Sequence, residues 1–475
     1  MESKKIISGV KWASVQLALD VIFRFSIRLI LARLLLPDQF GLIGMSMVFI
    51  AVAGAAAELG VGEALIQRKN DQEVEKMYDT AFWTAIGWGL MLYIIMSFII
   101  GPLAAYFYDE KILIKLIPAL SIGVLLKPFG TVHIVMLTRK MNFKKIANAH
   151  NSASFIAGLT AIIGAFLGIG VWALVLNSVL ATALTLPFLF MATKWKPNFE
   201  WNKLIFKEIF AFGAFSSGTK IFSTITYNID NLMIGKILGA AYLGGYTLAF
   251  SLTENLRQMV SGVLNKVMYP VFGKNQDDKV KLKSYFLKIV NLNAIAIYPL
   301  MAFFAIFAEE IILTFFGEKW EISILPLRML SIAMMIHLLI NSFASIIRGL
   351  GKPKLEMKII MGLNIFLLIP ALFIGITYYG LLGATLAVVA HKIALVVTGL
   401  IVLNREIGLT IRDLSSCVWR TFIAILVSLI PVGLLILFVQ LENIIVLGVV
   451  FGLSYGILIY HLENKSISSI IKNLT

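Results

Sequence analysis

A single cysteine, Cys417, stands in 475 residues, which excludes an internal disulfide and any cysteine-based metal cluster. Charge is also scarce, at 14% of residues against about 25% in soluble domains. Acids are the rarer sign, 26 against 41 Lys and Arg, leaving a net charge of +15. The histidines, at 133, 150, 337, 391 and 461, are scattered without metal-ligand spacing. No nucleophile–base pair or local carboxylate dyad stands out, so no catalytic site is expected and the chain is not read as an enzyme. Gly213-Ala-Phe-Ser-Ser-Gly-Thr-Lys220 nearly spells a phosphate-binding loop. The motif, however, needs Lys before Ser/Thr and a preceding strand. With no other ATP-binding stretch, any transport is secondary or driven by a partner.

What is abundant is apolar sequence: 59% hydrophobic residues and a mean hydropathy of +0.90. Runs such as 93–100, 423–439 and 444–460 are continuously apolar rather than alternating, so they read as membrane helices and not barrel strands. The first run is long and charged and lacks a small-residue cleavage site, so it is expected to remain as a span. Spans of about 20 or more residues fall near 10–36, 40–66, 80–107, 112–137, 146–168, 170–193, 207–237, 240–271, 284–312, 322–347, 355–377, 379–403, 415–438 and 443–462. Fourteen is the expected number.

Loop charge alternates with these spans. Basic residues precede the first (Lys4, Lys5, Lys11) and fill every second connection, as at Arg139/Lys140/Lys144/Lys145, Lys194/Lys196/Lys203/Lys207 and Arg348/Lys352/Lys354/Lys358. About 27 lie on one side against about five on the other, which puts both termini in the cytoplasm. The same distribution argues against nucleic acid as a partner.

An internal repeat runs at an offset of about 203 residues. Leu31-Ala-Arg-Leu-Leu…Phe40-Gly41 matches Ile234-Gly-Lys-Ile-Leu…Leu243-Gly244, and two further matches follow in order: Tyr108–Lys111 with Phe316–Lys319, and Arg139–Lys145 with Arg348–Lys354. Six spans per repeat is even, so the halves share an orientation. The expected organisation is a six-helix lobe over 1–206, a second over 207–410, and two more helices with a cytoplasmic tail over 411–475.

Charges inside spans mark substrate or ion paths, because one at the bilayer centre costs about 2.5–3.5 kcal/mol on the insertion scale. Asp20, Arg24 and Arg28 share one helical stripe of the first span. Its repeat partner carries Ser216, Lys220, Ser223, Tyr227 and Asp230/Asn231, and the next span adds Glu254, Arg257/Gln258, Ser261 and Asn265. Span 10 contributes Arg328, His337 and Asn341. Arginine suits phosphate, since its fork donates paired hydrogen bonds. Arg24, Arg28, Lys220 and Arg257 are therefore the candidates for an anionic headgroup. Asp20, Tyr227, Asp230, Glu254 and Asn265 are the coupling or cavity-polar candidates, with proton or sodium coupling left open and no other cofactor. The alternative stands beside this: Asp20 with Arg24, and Glu254 with Arg257, are spaced to pair within one helix. Lys266 is placed to snorkel, and Glu58 and Glu63 to serve structure.

Trp12, Arg28-Leu-Ile-Leu-Ala-Arg-Leu-Leu-Leu-Pro-Asp-Gln-Phe-Gly-Leu42, Glu58-Leu-Gly-Val-Gly-Glu-Ala-Leu-Ile-Gln-Arg68 and Ala81-Phe-Trp83 resemble the start of bacterial polysaccharide transporters. Asp230-Asn-Leu-Met-Ile-Gly-Lys236, Leu243-Gly-Gly-Tyr246 and Gly317-Glu-Lys-Trp320 continue the likeness through about residue 360. The family is the oligosaccharide flippases (colanic-acid, O-antigen and teichuronic-acid exporters), in the superfamily that includes multidrug exporters and the peptidoglycan-precursor flippase. The resemblance implies an all-α membrane protein with two six-helix lobes forming a V around a central cavity, plus two C-terminal helices. It also implies a polyprenyl-pyrophosphate-linked oligosaccharide as substrate, bound through cavity arginines and moved to the outer leaflet of a prokaryotic cytoplasmic membrane by alternating access. Membrane lipids, glycosyltransferases and a polysaccharide polymerase are the implied partners. Two other readings are carried: a cation-coupled multidrug exporter and a noncatalytic scaffold for glycan synthesis.

Overall fold

The computed structural model describes residues 23, 25–57, 61–67, 74–440 and 443–474, with the side chains at 63, 67, 208–217, 219, 263, 266–267 and 464–474 outside the description. The described residues are helical and turn, with no strand. Asp20, Arg24 and Glu58 lie outside them, as do the side chains of Glu63 and Lys266. Among the described residues, ten segments are long and apolar enough to cross a membrane. Helices close every backbone hydrogen bond within one segment, which hydrocarbon requires.

Two compact units divide at Gly244/Gly245. The first contains α1 (residues 25–34), α2 (Pro37–Ala57), α3 (Val61–Gln67), α4 (Tyr78–Tyr108), α5 (Leu113–Arg139), α6 (Phe143–Phe166), α7 (Trp172–Thr193), α8 (Lys203–Tyr227) and α9 (Ile229–Leu238). Inside α4, Met96–Ile100 forms one π-helical turn. Asn142 caps α6 by accepting from the Lys145 N–H, and Asn202 caps α8 by accepting from those of Leu204 and Ile205. α5 packs on α2, α3, α4 and α7, while α8 packs on α2, α3 and α4. α1 seats on α6 through the Phe23 and Phe155 rings, 4.5 Å apart, and through Ile27, which fills the space left by Gly158.

The connection between α7 and α8 is strapped to the start of α4. The Asn198 N–H donates to Asp79 (2.7 Å), Trp83 donates to the Asn198 carbonyl (2.8 Å), and Phe199 stacks on Trp83. Lysines 194, 196 and 203 flank this aromatic strap, a composition suited to the membrane–water boundary.

The helix α10 (Ala240–Lys274) begins in the first unit and continues into the second. Its first turn meets α2 backbone to backbone: a Cβ on Gly41 would overlap the Ala240 carbonyl, and one on Gly244 would overlap that of Pro37. These two glycines are equivalent positions of the sequence repeat. In lipid, where apolar transfer does not drive helices together, such close approach of small residues supplies the packing energy.

The second unit adds α11 (Lys279–Ile306), α12 (Ile324–Leu338), α13 (Phe343–Gly349), α14 (Pro353–Leu363), α15 (Ile369–Ile407), α16 (Ile411–Val439) and α17 (Ile444–Leu474). The 55-residue apolar segment Pro353–Ile407 is not one rod. Gly380 takes φ 57°, ψ −135°, and the Gly375 and Gly383 backbones touch. In a straight helix those two would be about 12 Å apart, so the chain reverses here and yields two spans, as the sequence predicts. Span 10, expected as one helix over 322–347, is instead broken: α12 ends at Leu338, four turn residues follow, and α13 begins at Phe343. α16 and α17 pack on each other and on α11. The helix set is consistent with the expected fourteen.

Ion pairs tie the helix ends of this unit. Lys283 of α11 meets Asp413 at 2.6 Å, Arg348 grips Glu356 at 2.6 and 2.7 Å, and Lys352 meets Glu406 at 2.6 Å. Asp278 caps α11, and the backbone N–H of Lys281, with its ammonium, holds this carboxyl below the usual carboxylate range.

Gly41→Ala and Gly244→Ala each place a methyl group against a backbone carbonyl that has no rotamer to yield. Each variant is expected to lose about 1–3 kcal/mol of packing, seen as a lower thermal midpoint in detergent. Gly54→Ala, which meets no atom within 4 Å, is expected to leave the midpoint unchanged.

Candidate functional site

In the second unit a polar cluster joins α10 to the break in span 10. The Arg257 guanidinium donates to both oxygens of Glu254, at 2.8 and 2.5 Å, and through its remaining nitrogen to Asn341 Oδ1 at 2.7 Å. Gln258 donates to the same carboxylate at 2.8 Å. One turn on, the Ser342 hydroxyl donates to Asn265 Oδ1 at 2.8 Å, and the Ser261 hydroxyl to Asn293 Oδ1 at 3.0 Å. The helix break is what aims Asn341 and Ser342 at α10, since both lie in the four-residue turn. Glu254 and Ser261 are buried, so these contacts replace water at a depth where water is absent.

The cluster is richer in nitrogen than in acid. His337 lies within electrostatic range of Lys392, Arg257 and His391. His337 Nδ1, His391 Nε2 and Asn341 Nδ2 have no hydrogen-bond partner among the described residues. The intrahelical pairing of Glu254 with Arg257, one of the two readings left open by the sequence, is therefore present, and Asn341 is added to it. The equivalent pair of Asp20 and Arg24 lies outside the described residues.

In the first unit a cavity of about 210 Å³ opens among α2, α3, α4, α5 and α8. Its walls are mostly apolar, and Lys127 of α5 and Lys220 of α8 are among the residues that line it. Local sequence fixes both. Pro128 follows Lys127 and seats its ring on Gly89 of α4, while Thr224 donates its hydroxyl to the Lys220 carbonyl one turn on, at 2.8 Å. At 1.5 Å per residue, Lys127 is about 21 Å from the start of α5 and about 18 Å from its end. Lys220 is about 26 Å from the start of α8. Lys127 thus lies near the middle of a helix long enough to cross a hydrocarbon core of about 30 Å.

The other sequence candidates separate. Arg28 is half-buried, and its stripe continues at Leu31 and Ala32, which are 1% and 0% exposed, so it points into protein and not lipid. Tyr227 is 54% exposed at the end of α8. Asp230 is buried in the first turn of α9 and accepts from the Asn231 N–H at 2.9 Å, a position that favours an acid through the helix dipole. Lys127 has no counterpart among the sequence candidates. It stands alone in an apolar run, and the residue that gives it meaning is on another helix.

The profile of a family described as "Polysaccharide biosynthesis protein" matches residues 30–325, and the chain belongs to that family. It is a multi-pass helical membrane protein. It is 25% identical over 434 residues to the lipopolysaccharide biosynthesis protein WzxC of Escherichia coli K12, covering 90% of this chain and 87% of that one. Similarity to the teichuronic acid biosynthesis protein TuaB of Bacillus subtilis is 27% over 373 residues, 77% and 76% of the two chains. Among solved structures, the lipid II flippase MurJ in an inward closed conformation superposes with a TM-score of 0.73 at 15% identity, covering 95% of this chain and all of that one. The likeness establishes a shared fold.

Removing one member of a buried ion pair strands the other. Glu254→Gln is expected to cost roughly 2–4 kcal/mol, whereas Glu254→Gln with Arg257→Met recovers most of that loss. Thermal midpoints of the single and double variants in one detergent check the sign. A double-variant loss equal to the sum of the Glu254→Gln and Arg257→Met losses would mean that the pair carries no coupling.

Proposed function

We propose that this protein is a flippase that carries a polyprenyl-pyrophosphate-linked oligosaccharide from the inner to the outer leaflet of a prokaryotic cytoplasmic membrane, for assembly of a surface polysaccharide. The reading is supported by cations carried on largely apolar helices, Arg28, Lys127, Lys220 and Arg257, in a chain of a polysaccharide biosynthesis family. Hydrocarbon tolerates such charges where they are paired or meet a polar ligand, and a pyrophosphate supplies oxygens for both fork-shaped and point-like donors. The names of WzxC and TuaB, and the fold shared with a lipid II flippase, support the same substrate class.

The loop charges favour both termini in the cytoplasm, so the substrate would be met from the leaflet where it is made. Transport follows alternating access between the lobes at 1–206 and 207–410, with α16 and α17 as additions outside the repeat. A ligand shifts such an equilibrium only through different affinity for the two states. Exchange of internal partners such as Glu254 for substrate oxygens provides that difference. No ATP-binding sequence accompanies the spans, so the driving force is a gradient or downstream consumption. Asp20, Asp230 and Glu254 are the groups for proton or sodium coupling. Glycosyltransferases supply the substrate and a polymerase consumes it.

Purified protein in sealed vesicles is expected to move a defined polyprenyl-pyrophosphate glycan across the bilayer, and Arg28→Gln to slow it by about tenfold or more, the loss of one charge-assisted contact. Protein-dependent movement that is absent in the wild type would overturn the reading. Drug efflux in its place would assign the chain to multidrug export.

A further inference from the structure

One end of the first unit carries charge and apolar surface that substrate transport does not use. The α5–α6 connection (140–145) and the α7–α8 connection (194–203) hold six lysines against one acid, Glu200. All six lysines are exposed. The two connections form one surface. Lys145 of the first donates to the Ala192 carbonyl near the end of α7 (3.2 Å), and the His133 ring of α5 meets the Thr193 hydroxyl of α7 (2.6 Å). The second connection is fixed to α4 by the Asn198 strap and by Trp201, which donates to the Thr84 hydroxyl at 3.3 Å. The result is a rigid shelf.

The shelf is apolar as well as basic. Phe199 is 91% exposed, and Met141 and Leu204 are each 77% exposed; facing water, that area would stay unburied. α5 ends at Arg139, α6 begins at Phe143 and α7 ends at Thr193, and all three are long and apolar enough to span a membrane. The shelf therefore lies where hydrocarbon meets headgroups. Its apolar side chains reach the first acyl carbons there, and lysine stems carry their ammonium groups out to the phosphates. The excess of positive charge then selects among lipids. A zwitterionic headgroup brings a cation of its own, whereas a phosphate ester without an amine leaves net negative charge for the lysines. With Lys145 committed to Ala192, this leaves Lys140, Lys144, Lys194, Lys196 and Lys203. We infer that the shelf binds anionic glycerophospholipids, which hold this end of the first unit at the bilayer surface. It uses none of the residues given to the transported substrate.

The test uses the full-length protein in nanodiscs of phosphatidylcholine with a minor share of phosphatidylglycerol, and native mass spectrometry to count the lipids it retains. Phosphatidylglycerol is expected to be enriched among them, and the enrichment to fall as salt screens the headgroup contacts. Changing one of the five lysines to Gln should lower the enrichment by up to about fivefold, the worth of one cation at an anionic surface. Changing all five should lower it about tenfold or more, and changing all five to Arg should retain it. Unchanged thermal midpoints in a neutral detergent would show that the Gln variants fold. Met141→Ser with Leu204→Ser should reduce retention of both lipids and leave their ratio unaltered. A wild type without enrichment overturns the site, as does enrichment that survives loss of all five charges in a folded variant. Glycerol phosphate that binds as tightly as the lipid reassigns the shelf to free anions. A polyglutamate peptide that binds through the same lysines more tightly than phosphatidylglycerol reassigns it to an acidic protein partner, and either result overturns the lipid assignment.

Discussion

The cost of a charge in hydrocarbon organises this protein more than any other single term. A cation in hydrocarbon has to be paired inside the protein or face a polar space. Arg257 is enclosed by Glu254 on one side and Asn341 on the other. Lys127 and Lys220 hold contacts of their own and also line a cavity. A planar fork is satisfied by one carboxylate and one amide, while an ammonium group acts as a point charge.

The same absence of water decides how the helices pack. Apolar burial gives no advantage to helix contacts over lipid contacts, so van der Waals fit has to supply the attraction. Gly41 against Ala240, Gly244 against Pro37, and Gly375 against Gly383 bring backbones together where no side chain would fit. Elsewhere the ladder of backbone bonds is interrupted, at the break between α12 and α13 and at Gly380. Irregular backbone at depth is tolerated where it is buried in protein. The turn between α12 and α13 meets that condition through its hydrogen bonds to Arg257 and Asn265.

Local features were legible in the sequence, and features created by a second helix were not. Continuous apolar runs gave the spans, and the split of 355–377 from 379–403 anticipated the reversal at Gly380. Spacing of three residues was enough to offer Glu254 and Arg257 as an intrahelical pair. The break at residues 339–342 left no such mark, since no proline or glycine lies within it and the apolar run continues unbroken on either side. Its cause is tertiary: Asn341 and Ser342 bond to another helix. Lys127 was passed over for the same reason, because a lone lysine among apolar residues forms no stripe. The signal available was its depth, close to the centre of a 27-residue helix, where snorkelling to an interface is out of reach.

The two cationic sites differ in what a substrate must displace. To take Arg257, a phosphate oxygen has to replace a bidentate carboxylate at 2.5–2.8 Å and an amide at 2.7 Å, and Glu254 is then left buried unless a proton or a sodium ion joins it. The cost of that stranded acid is of the order of 3–5 kcal/mol for a fully buried pair. On the proposed reading, anion capture at Arg257 would be linked to cation uptake at Glu254, because neither ligand would enter cheaply without the other. Asn341 sits on this exchange and in the break of span 10, so releasing Arg257 also frees the turn that interrupts that span. On that reading, a substrate anion and a coupling cation acting on one salt bridge would supply the different affinity for two states that a transport cycle requires.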